Sequence, residues 1–134
     1  MSIVAETLSS AKILARDIVP LVLKMARPPS PDAIDNLPLR LAETAAACPS
    51  KTAIIFEGRS ISWGDLDRRA SQVAQALKER GVGFGDTVSL MMDNRIEFIE
   101  NMFGIMRAGA AVSLINTNLR GAQLVHCITT TKAK

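Results

Sequence analysis

The amino-acid sequence predicts an α/β fold in which a β-hairpin is followed by alternating helices and parallel strands. Two short apolar runs, residues 87–92 and 110–115, each follow a segment with helical periodicity. A glycine stands where each of these helices should end. The chain has 134 residues, of which 48% are hydrophobic and 22% charged, so it has the size and composition of one globular domain.

The first segment, residues 1–27, is predicted to contain an amphipathic helix over residues 3–26. Pro20 lies inside this pattern and predicts a kink or two short helices. Residues 28–36 begin with three prolines in four positions and form a stiff linker. Residues 37–134 remain as the α/β part. The apolar positions of the first helix, which recur at steps of three and four, are Leu8, Ala11, Ala15, Ile18, Val22 and Met25.

The α/β part opens with a short helix and a hairpin. Residues 37–48 carry Leu37, Leu41 and Ala45 on one helical face. Residues 53–56 and 60–63 contain β-branched and aromatic residues, which predict two strands, and residues 57–58 are predicted to form the turn between them. Gly58 suits the positive φ of such a turn, and a glutamate at position 57 suits it less well.

The next helix carries signals at both ends. Ser62 is predicted to cap it by accepting from the N–H of Asp65, whose carboxylate reaches back to the cap. Ile61 and Leu66 occupy the positions of a hydrophobic staple. Gly81 is placed to end the helix in a left-handed conformation. The predicted buried face consists of Leu66, Ala70, Val73 and Leu77.

The remaining elements repeat the pattern. Residues 87–92 are apolar enough for a strand covered on both faces. Asn94 and Glu97 have the spacing of a cap and its acid, and Gly109 is placed to close the helix that follows. After the strand at 110–115, residues 116–118 supply turn and cap residues for a last helix over about 120–130. A strand should follow that helix, so we expect a truncated domain. The inner stripe of the middle helix is Ile96, Ile99, Phe103 and Met106.

Composition disfavours several classes of function. The net charge is +3, from 16 basic and 13 acidic residues, and no basic cluster is interleaved with aromatics, so no nucleic-acid binding is expected. The two cysteines form no CxxC motif, which indicates a reducing compartment. Lys12, Arg16 and Asp17 fit neither a signal peptide nor a membrane-spanning helix. The expected location is cytoplasmic, or peripheral at the inner face of a membrane.

Several short runs, in a characteristic order, resemble the N-terminal portion of adenylate-forming (AMP-dependent) fatty-acyl-CoA synthetases. Residues 114–121, L-I-N-T-N-L-R-G, with His126 after them, are similar to the signature of the fatty-acid transport protein and very-long-chain acyl-CoA synthetase branch. The resemblance covers roughly residues 37–134 and implies a partial N-terminal domain of that enzyme fold. The other runs are residues 61–66 (ISWGDL), 85–90 (GDTVSL), 94–98 (NRIEF) and 106–110 (MRAGA).

The resemblance implies that full-length relatives use ATP and Mg²⁺ to convert a fatty acid into an acyl-adenylate, from which coenzyme A takes the acyl group. Their phosphate loop has the form T-S-G-T-T-G-x-P-K, and no such run occurs here. We therefore assign no catalytic, cofactor-binding or metal-ligating residue and no cofactor to this chain. It is expected to be inactive alone, as a fragment of a long-chain or very-long-chain fatty acid–CoA ligase.

Four features invite other interpretations. The glycine-rich residues 81–86 lie between a helix and the next strand, which favours a helix end over a phosphate cradle. His126 is predicted to have a structural or surface role, Cys127 is predicted to be a small core residue, and residues 129–131 are not expected to form a phosphate loop. The methionines are predicted to pack in the core. They are Met91, Met92, Met102 and Met106.

Alternative functions remain open. The helix over residues 3–26 either lies on a membrane surface or packs on the rest of the enzyme. The chain is either part of a ligase or a stand-alone module that binds a membrane or a partner. Self-association through an exposed sheet edge would suit such a module. A flavodoxin-like nucleotide-binding domain has the right order of elements but needs a strand-to-helix phosphate loop.

Overall fold

The computed structural model describes residues 36–134, together with residues 16, 19, 20 and 22. Apart from those four residues and Asn36, the predicted amphipathic helix and proline-rich linker lie outside the described residues. No helix in the described part is long and apolar enough to span a bilayer. The elements are α1 (Leu37–Ala47), β1 (Thr52–Phe56), β2 (Arg59–Ser62), α2 (Trp63–Glu79), β3 (Thr87–Leu90), α3 (Ile96–Arg107), β4 (Ala111–Leu114) and α4 (Gly121–Thr130).

Helix α1 begins at a side-chain cap that the sequence reasoning assigned to the linker. The Asn36 carboxamide oxygen accepts from the N–H of Leu39 at 3.0 Å, which satisfies one of the free donors of the first turn. Leu41 and Ala45 are buried as predicted. Leu37, on the same face of the helix, is 58% exposed.

The hairpin has a two-residue turn. Strands β1 and β2 pair antiparallel with Phe56 opposite Arg59, and the register shifts between Thr52 and Ile54. Glu57 has φ 49° and Gly58 φ 75°, the two left-handed residues that a type I′ turn requires. Glu57 thus adopts the conformation for which it is a poor fit. Trp63, which was predicted to end the second strand, instead begins α2.

The N-terminus of α2 carries the predicted cap. The N–H of Asp65 donates to the Ser62 hydroxyl at 3.1 Å, and that hydroxyl donates to the Asp65 carboxylate at 3.0 Å. The carboxylate thus bonds the cap's side chain rather than its backbone N–H, because aspartate is shorter than the glutamate of a usual capping box. Ile61 and Leu66 are buried in one cluster, in agreement with the predicted staple.

Both α2 and α3 end in the same motif. After α2, Gly81 has φ 77°, its N–H donates to Lys78 O, and the next N–H donates to Leu77 O. After α3, Gly109 has φ 94°, and the corresponding bonds run to Met106 O and Ile105 O. This is the Schellman arrangement, in which a left-handed residue lets two orphan carbonyls be satisfied. The predicted helix-ending roles of both glycines are confirmed.

Helices α2 and α3 pack closely. A Cβ on Gly104 would lie 2.5 Å from Val73 Cβ, so only glycine fits this crossing. Leu66, Ala70 and Ala74 are buried on α2, whereas the predicted Val73 and Leu77 are only partly buried. One core cluster joins these helices to α1 and the hairpin. It contains Leu41, Ile61, Leu66, Ala70 and Ile96.

Two ion pairs, neither of them foreseen, cross the same helix interface. Glu100 is 7% exposed and its carboxylate accepts from Arg69 at 2.9 Å. The Arg107 guanidinium contacts the carboxylate and carbonyl of Asp67, the Ser71 hydroxyl and, at 3.4 Å, the carbonyl of Pro38. Arg107 therefore links α3 to both α1 and α2.

Strands β3 and β4 form a parallel pair in register from Thr87 opposite Ala111 to Leu90 opposite Leu114. One face packs on α3 through Val88, Leu90 and Val112. Ala111 and Leu114 at the two ends of β4 are exposed, and α4 has no buried residue. Within the run at 87–92, which was expected to be covered on both faces, Thr87, Val88 and Ser89 are half-buried, Leu90 is buried and Met91 is 41% exposed.

Candidate functional site

The carboxyl ends of β3 and β4 place polar segments side by side. Because the two strands are parallel and in register, residues 91–95 and 115–120 leave the sheet at the same edge. The N–H of Ile115 donates to Leu90 O at 3.0 Å, which extends the ladder to this edge. Ligands of open α/β sheets bind beyond the carboxyl ends of strands. This edge is therefore the candidate site of the described chain.

A cleft of about 340 Å³ lies at this edge. Its walls come from the segment after β3, from the start of α3 and from the segment after β4. They offer amide, hydroxyl and carboxylate groups beside apolar surface, and no lysine, arginine or histidine. The lining residues are Met92, Asp93, Asn94, Phe98, Leu114, Ile115, Asn116, Thr117 and Asn118.

The wall after β4 is a turn that holds itself together. The Asn116 side-chain oxygen accepts from the N–H of Asn118 at 2.9 Å, and the Asn116 carbonyl accepts from Leu119 at 3.2 Å. Such an Asx turn fixes the backbone locally. The Arg120 guanidinium donates to the carbonyl oxygens of Thr117 and Leu119. The predicted turn role of these asparagines is confirmed, but Arg120 occupies the cap position of α4 without a side-chain capping bond.

The wall after β3 differs from its prediction. Asn94 was expected to cap α3, but Arg95 holds that position and makes no side-chain capping bond. The helix starts one residue later than the Asn94–Glu97 spacing indicates. Glu97 instead bonds Arg59 at 3.0 Å and Arg95 at 3.1 Å. Its own backbone N–H, followed by Arg59, holds the pKa of Glu97 below its usual value.

The cleft was not identified from the sequence, although a signal for it was present. Asp93 and Asn94 follow one buried strand, and Asn116 and Asn118 follow the next. Polar residues after two parallel strands meet at one edge. The same groups do not fit a triphosphate with Mg²⁺, because the lining contains no cationic side chain to balance the phosphate charge.

The glycine-rich loop lies elsewhere. Residues 81–86 join the C-terminus of α2 to the start of β3, so they face the negative end of the helix dipole. Asp86 accepts from the N–H of Gly83 and from Lys134 Nζ, both at 2.9 Å. These contacts, that with Lys134 first, lower the pKa of Asp86. The loop is a helix end followed by a turn, as predicted.

The remaining candidates are residues on and directly after α4 and the methionines. His126 is exposed. Cys127, which was predicted to be a core residue, is only half-buried. Thr129 and Thr131 donate to carbonyls of the preceding helical turn. Met92 and Met102 pack as predicted against a second core cluster, whereas Met91 is 41% exposed. The buried residues of this cluster are Val82, Leu90, Ile105 and Ala110. Within the described residues no three metal-ligating side chains lie together.

Comparison with known proteins identifies the family. Residues 41–134 match the AMP-binding enzyme family. This chain belongs to that family. Mouse long-chain fatty acid transport protein 6 is 39% identical over 83 residues, which are 61% of this chain and 13% of the relative. The chain thus spans about an eighth of the length of that relative.

Solved structures agree with the fold. The N-terminal subdomain of Klebsiella oxytoca NpsA superposes with a TM-score of 0.70 at 23% identity, over 75% of this chain and 26% of that one. The fatty acyl CoA synthetase of Mycobacterium tuberculosis superposes with a TM-score of 0.70 at 25% identity, over 74% of this chain and 20% of that one. The predicted α/β fold of an adenylate-forming enzyme is confirmed.

Proposed function

We propose that this chain supplies the amino-terminal α/β scaffold of an ATP-dependent fatty acid–CoA ligase with long-chain or very-long-chain substrates. One observation carries the proposal. The run at residues 114–121 resembles the signature of that branch, and its first five residues, 114–118, form one wall of the cleft at the carboxyl edge of the parallel strands. The similarity to a long-chain fatty acid transport protein supports the same substrate class.

The proposed role is structural rather than catalytic. Acyl-adenylate formation requires donors and cations around the phosphates of ATP, and coenzyme A must then displace AMP. The cleft offers neutral amides and the carboxylate of Asp93, which suit the positioning of neighbouring segments. We therefore expect residues 1–134 alone to release no pyrophosphate from ATP in the presence of palmitate, Mg²⁺ and coenzyme A. Release above a control without protein would contradict this part of the proposal.

Reading the gene downstream of the codon for Lys134 tests the scaffold role. We expect an in-frame strand followed by a Ser/Thr/Gly-rich loop that ends in Pro-Lys. The full reading frame should then form acyl-CoA from long-chain fatty acids and show much less activity with amino acids. Preference for an amino acid would contradict the substrate class while leaving the scaffold role intact.

A stand-alone binding module is the second candidate, and the open sheet favours it. Among residues 36–134, β3 and β4 pair only with each other, so each strand presents an edge. Val125 and Ile128 are 60% and 41% exposed on α4. Such a module would self-associate through an edge, or bind a membrane through residues 3–26 at its cytoplasmic face. A monomer or a small oligomer of defined size by light scattering, with well-protected β3 and β4 amides, favours the module, and open-ended aggregation with poor protection favours the scaffold.

A further inference from the structure

Lys134 brings the chain back to the parallel sheet, on the side of β3 away from β4. Its backbone N–H donates to Thr87 O at 3.0 Å, at the start of β3. Lys132, two residues earlier, has φ 47°, and this left-handed residue ends the course of α4. The ammonium group of Lys134 lies 2.9 Å from the Asp86 carboxylate and 3.3 Å from Gly81 O. Lys134 is thus held to the segment that leads into β3 by both its backbone and its side chain.

The edge of β3 that meets Lys134 continues beyond that bond. Successive residues of a strand direct their backbone groups to opposite neighbours. The N–H of Ile115 donates to Leu90 O, so Leu90 faces β4. Thr87, whose carbonyl accepts from Lys134, faces the other way, and by alternation so does Ser89. Among residues 36–134, β3 pairs with no strand except β4, so the backbone N–H and C=O of Ser89 lie on an open edge that can accept another strand.

The Ser89 hydroxyl is a second, independent observation at the same edge. It is enclosed and has no hydrogen-bond partner among the described residues. A buried hydroxyl without a partner is unfavourable. Because side chains alternate along β3, Ser89 faces away from Val88 and Leu90, which pack toward α3. A strand added beside Ser89 would place a side chain next to this hydroxyl, on the same face of the sheet.

We propose that the stretch directly after Lys134 in the longer polypeptide pairs with this edge of β3 as a parallel strand. Thr87 is the first residue of β3, so a chain that enters the edge there continues in the direction of β3. Lys134 also sets the register. Its carbonyl is the next group to accept from the N–H of Ser89, and the second residue after it donates to Ser89 O. The inference rests on the scaffold role proposed above, because it takes the occupant of the edge from the same polypeptide.

This placement makes the sheet doubly wound, with β3 between β4 and the added strand. Helix α3 connects β3 to β4 over the face that carries Val88 and Leu90. The connection back through α4 runs the opposite way across the sheet, and because such crossovers are right-handed it passes over the other face. The segments that follow β3 and β4 then leave toward opposite faces, which is a topological switch point. The cleft beyond these two strands lies at that point.

Amide hydrogen exchange, measured residue by residue, tests the register. The full chain is extended after Lys134 by Thr-Val-Thr-Val-Thr. The control extension is Thr-Pro-Thr-Pro-Thr, in which proline removes the N–H groups that would donate to Ser89 O and Met91 O. The valine extension should slow exchange at the Ser89 and Met91 amides by about tenfold or more relative to the control. The amides of Val88 and Leu90, which face β4, should exchange alike in both proteins.

Two results would overturn the proposal. One is equal exchange at Ser89 and Met91 in the two extended proteins. The other is protection of these amides in the unextended chain that grows with protein concentration, because a second copy would then occupy the edge. Neither measurement involves acyl-CoA formation, so a failure here leaves the ligase role standing, and a different substrate class leaves the strand pairing standing.

The role of Lys134 in setting the register has its own test. In the valine extension, Lys134→Met should reduce the protection of Ser89 and Met91 several-fold, because the contacts with Asp86 and Gly81 are lost. Lys132→Met is the matched control, since Lys132 is exposed and lies two residues earlier. Equal effects of the two variants would contradict this role of Lys134.

Discussion

Residues 36–134 contain a helical half, around α2 and α3, and a sheet half, formed by β3, β4 and α4. The two halves differ in how completely their side chains are buried by the rest of the chain. Around α2 and α3, Leu66 is 1% exposed and Ala70 fully buried, and even a charged group, Glu100, has its partner. In the sheet half, α4 has no buried residue. The Ser89 hydroxyl is enclosed there without a hydrogen-bond partner among the described residues. The helical half is thus a finished core, and the sheet half presents surface for a further layer.

The largest expected effect contrasts these halves directly. Leu66→Ala should lower the free energy of unfolding by about 2–5 kcal/mol, because it leaves a cavity in the core cluster that joins α2 and α3 to α1 and the hairpin. Val125→Ala on α4 should change it by less than about 0.5 kcal/mol, because that side chain is 60% exposed. Urea denaturation followed by Trp63 fluorescence measures both. A comparable loss in Val125→Ala would mean that the α4 face is covered in solution.

The next effect concerns the closest helix contact. Gly104→Ala should destabilise by about 1–3 kcal/mol, since the new Cβ overlaps Val73. Helix propensity alone favours alanine by about 1 kcal/mol, so the two arguments predict opposite signs. A double-mutant cycle with Val73→Ala, also by urea denaturation, should show favourable coupling. A more stable Gly104→Ala would show that the helices separate without cost.

Helix capping gives a smaller effect with a built-in control. Ser62→Ala should lower stability by about 1 kcal/mol, because the first turn of α2 loses an acceptor. Asn94→Ala should change it by less than about 0.5 kcal/mol, because Asn94 does not occupy the cap position of α3. Thermal unfolding by circular dichroism compares the two variants. Equal losses would restore the cap role that the sequence assigns to Asn94.

The smallest effect is the pH dependence. The pKa of Asp65 is lowered by Arg68 and then by the Ser62 hydroxyl, and those of Asp86 and Glu97 are lowered as well. The folded state therefore binds fewer protons than the unfolded state. The stability that these three carboxylates contribute is fully present above their unfolded pKa values of about 3.9–4.3. It is lost as the pH falls through the lower folded values. Asp65→Asn should flatten the acid limb of a stability–pH curve slightly, and an unchanged slope would contradict the assignment.

Local signals were predictable because their partners lie within a few residues. Ser62 bonds a residue three positions away, and Gly81 and Gly109 complete motifs confined to one helical turn. The order of elements followed from the same periodicities. The prediction of a cap failed at Asn94, because the helix begins one residue later, and Glu97 pairs with Arg59 of the hairpin, 38 positions away.

The features that the sequence did not predict depend on residues far apart in the chain. Arg69 and Glu100 are 31 positions apart, and Arg107 and Asp67 are 40 apart. The need for glycine at position 104 arises only from the approach of α2. The cleft likewise requires the register of β3 on β4. Single-sequence periodicity contains no such pairing, which is why the elements were predicted more accurately than their contacts.

Arg107 of α3 bonds groups on both other helices, α1 and α2, and so fixes the three relative to one another. Its planar fork bonds α2 at a carboxylate, a carbonyl and a hydroxyl, and it reaches α1 at the carbonyl of Pro38. Lysine carries one ammonium group and cannot span those acceptors from one position. Apolar surfaces tolerate sliding by a fraction of a turn, but this directional set does not. The axial position of α1 is thereby tied to α3, although the two contacting residues are 69 positions apart in the chain.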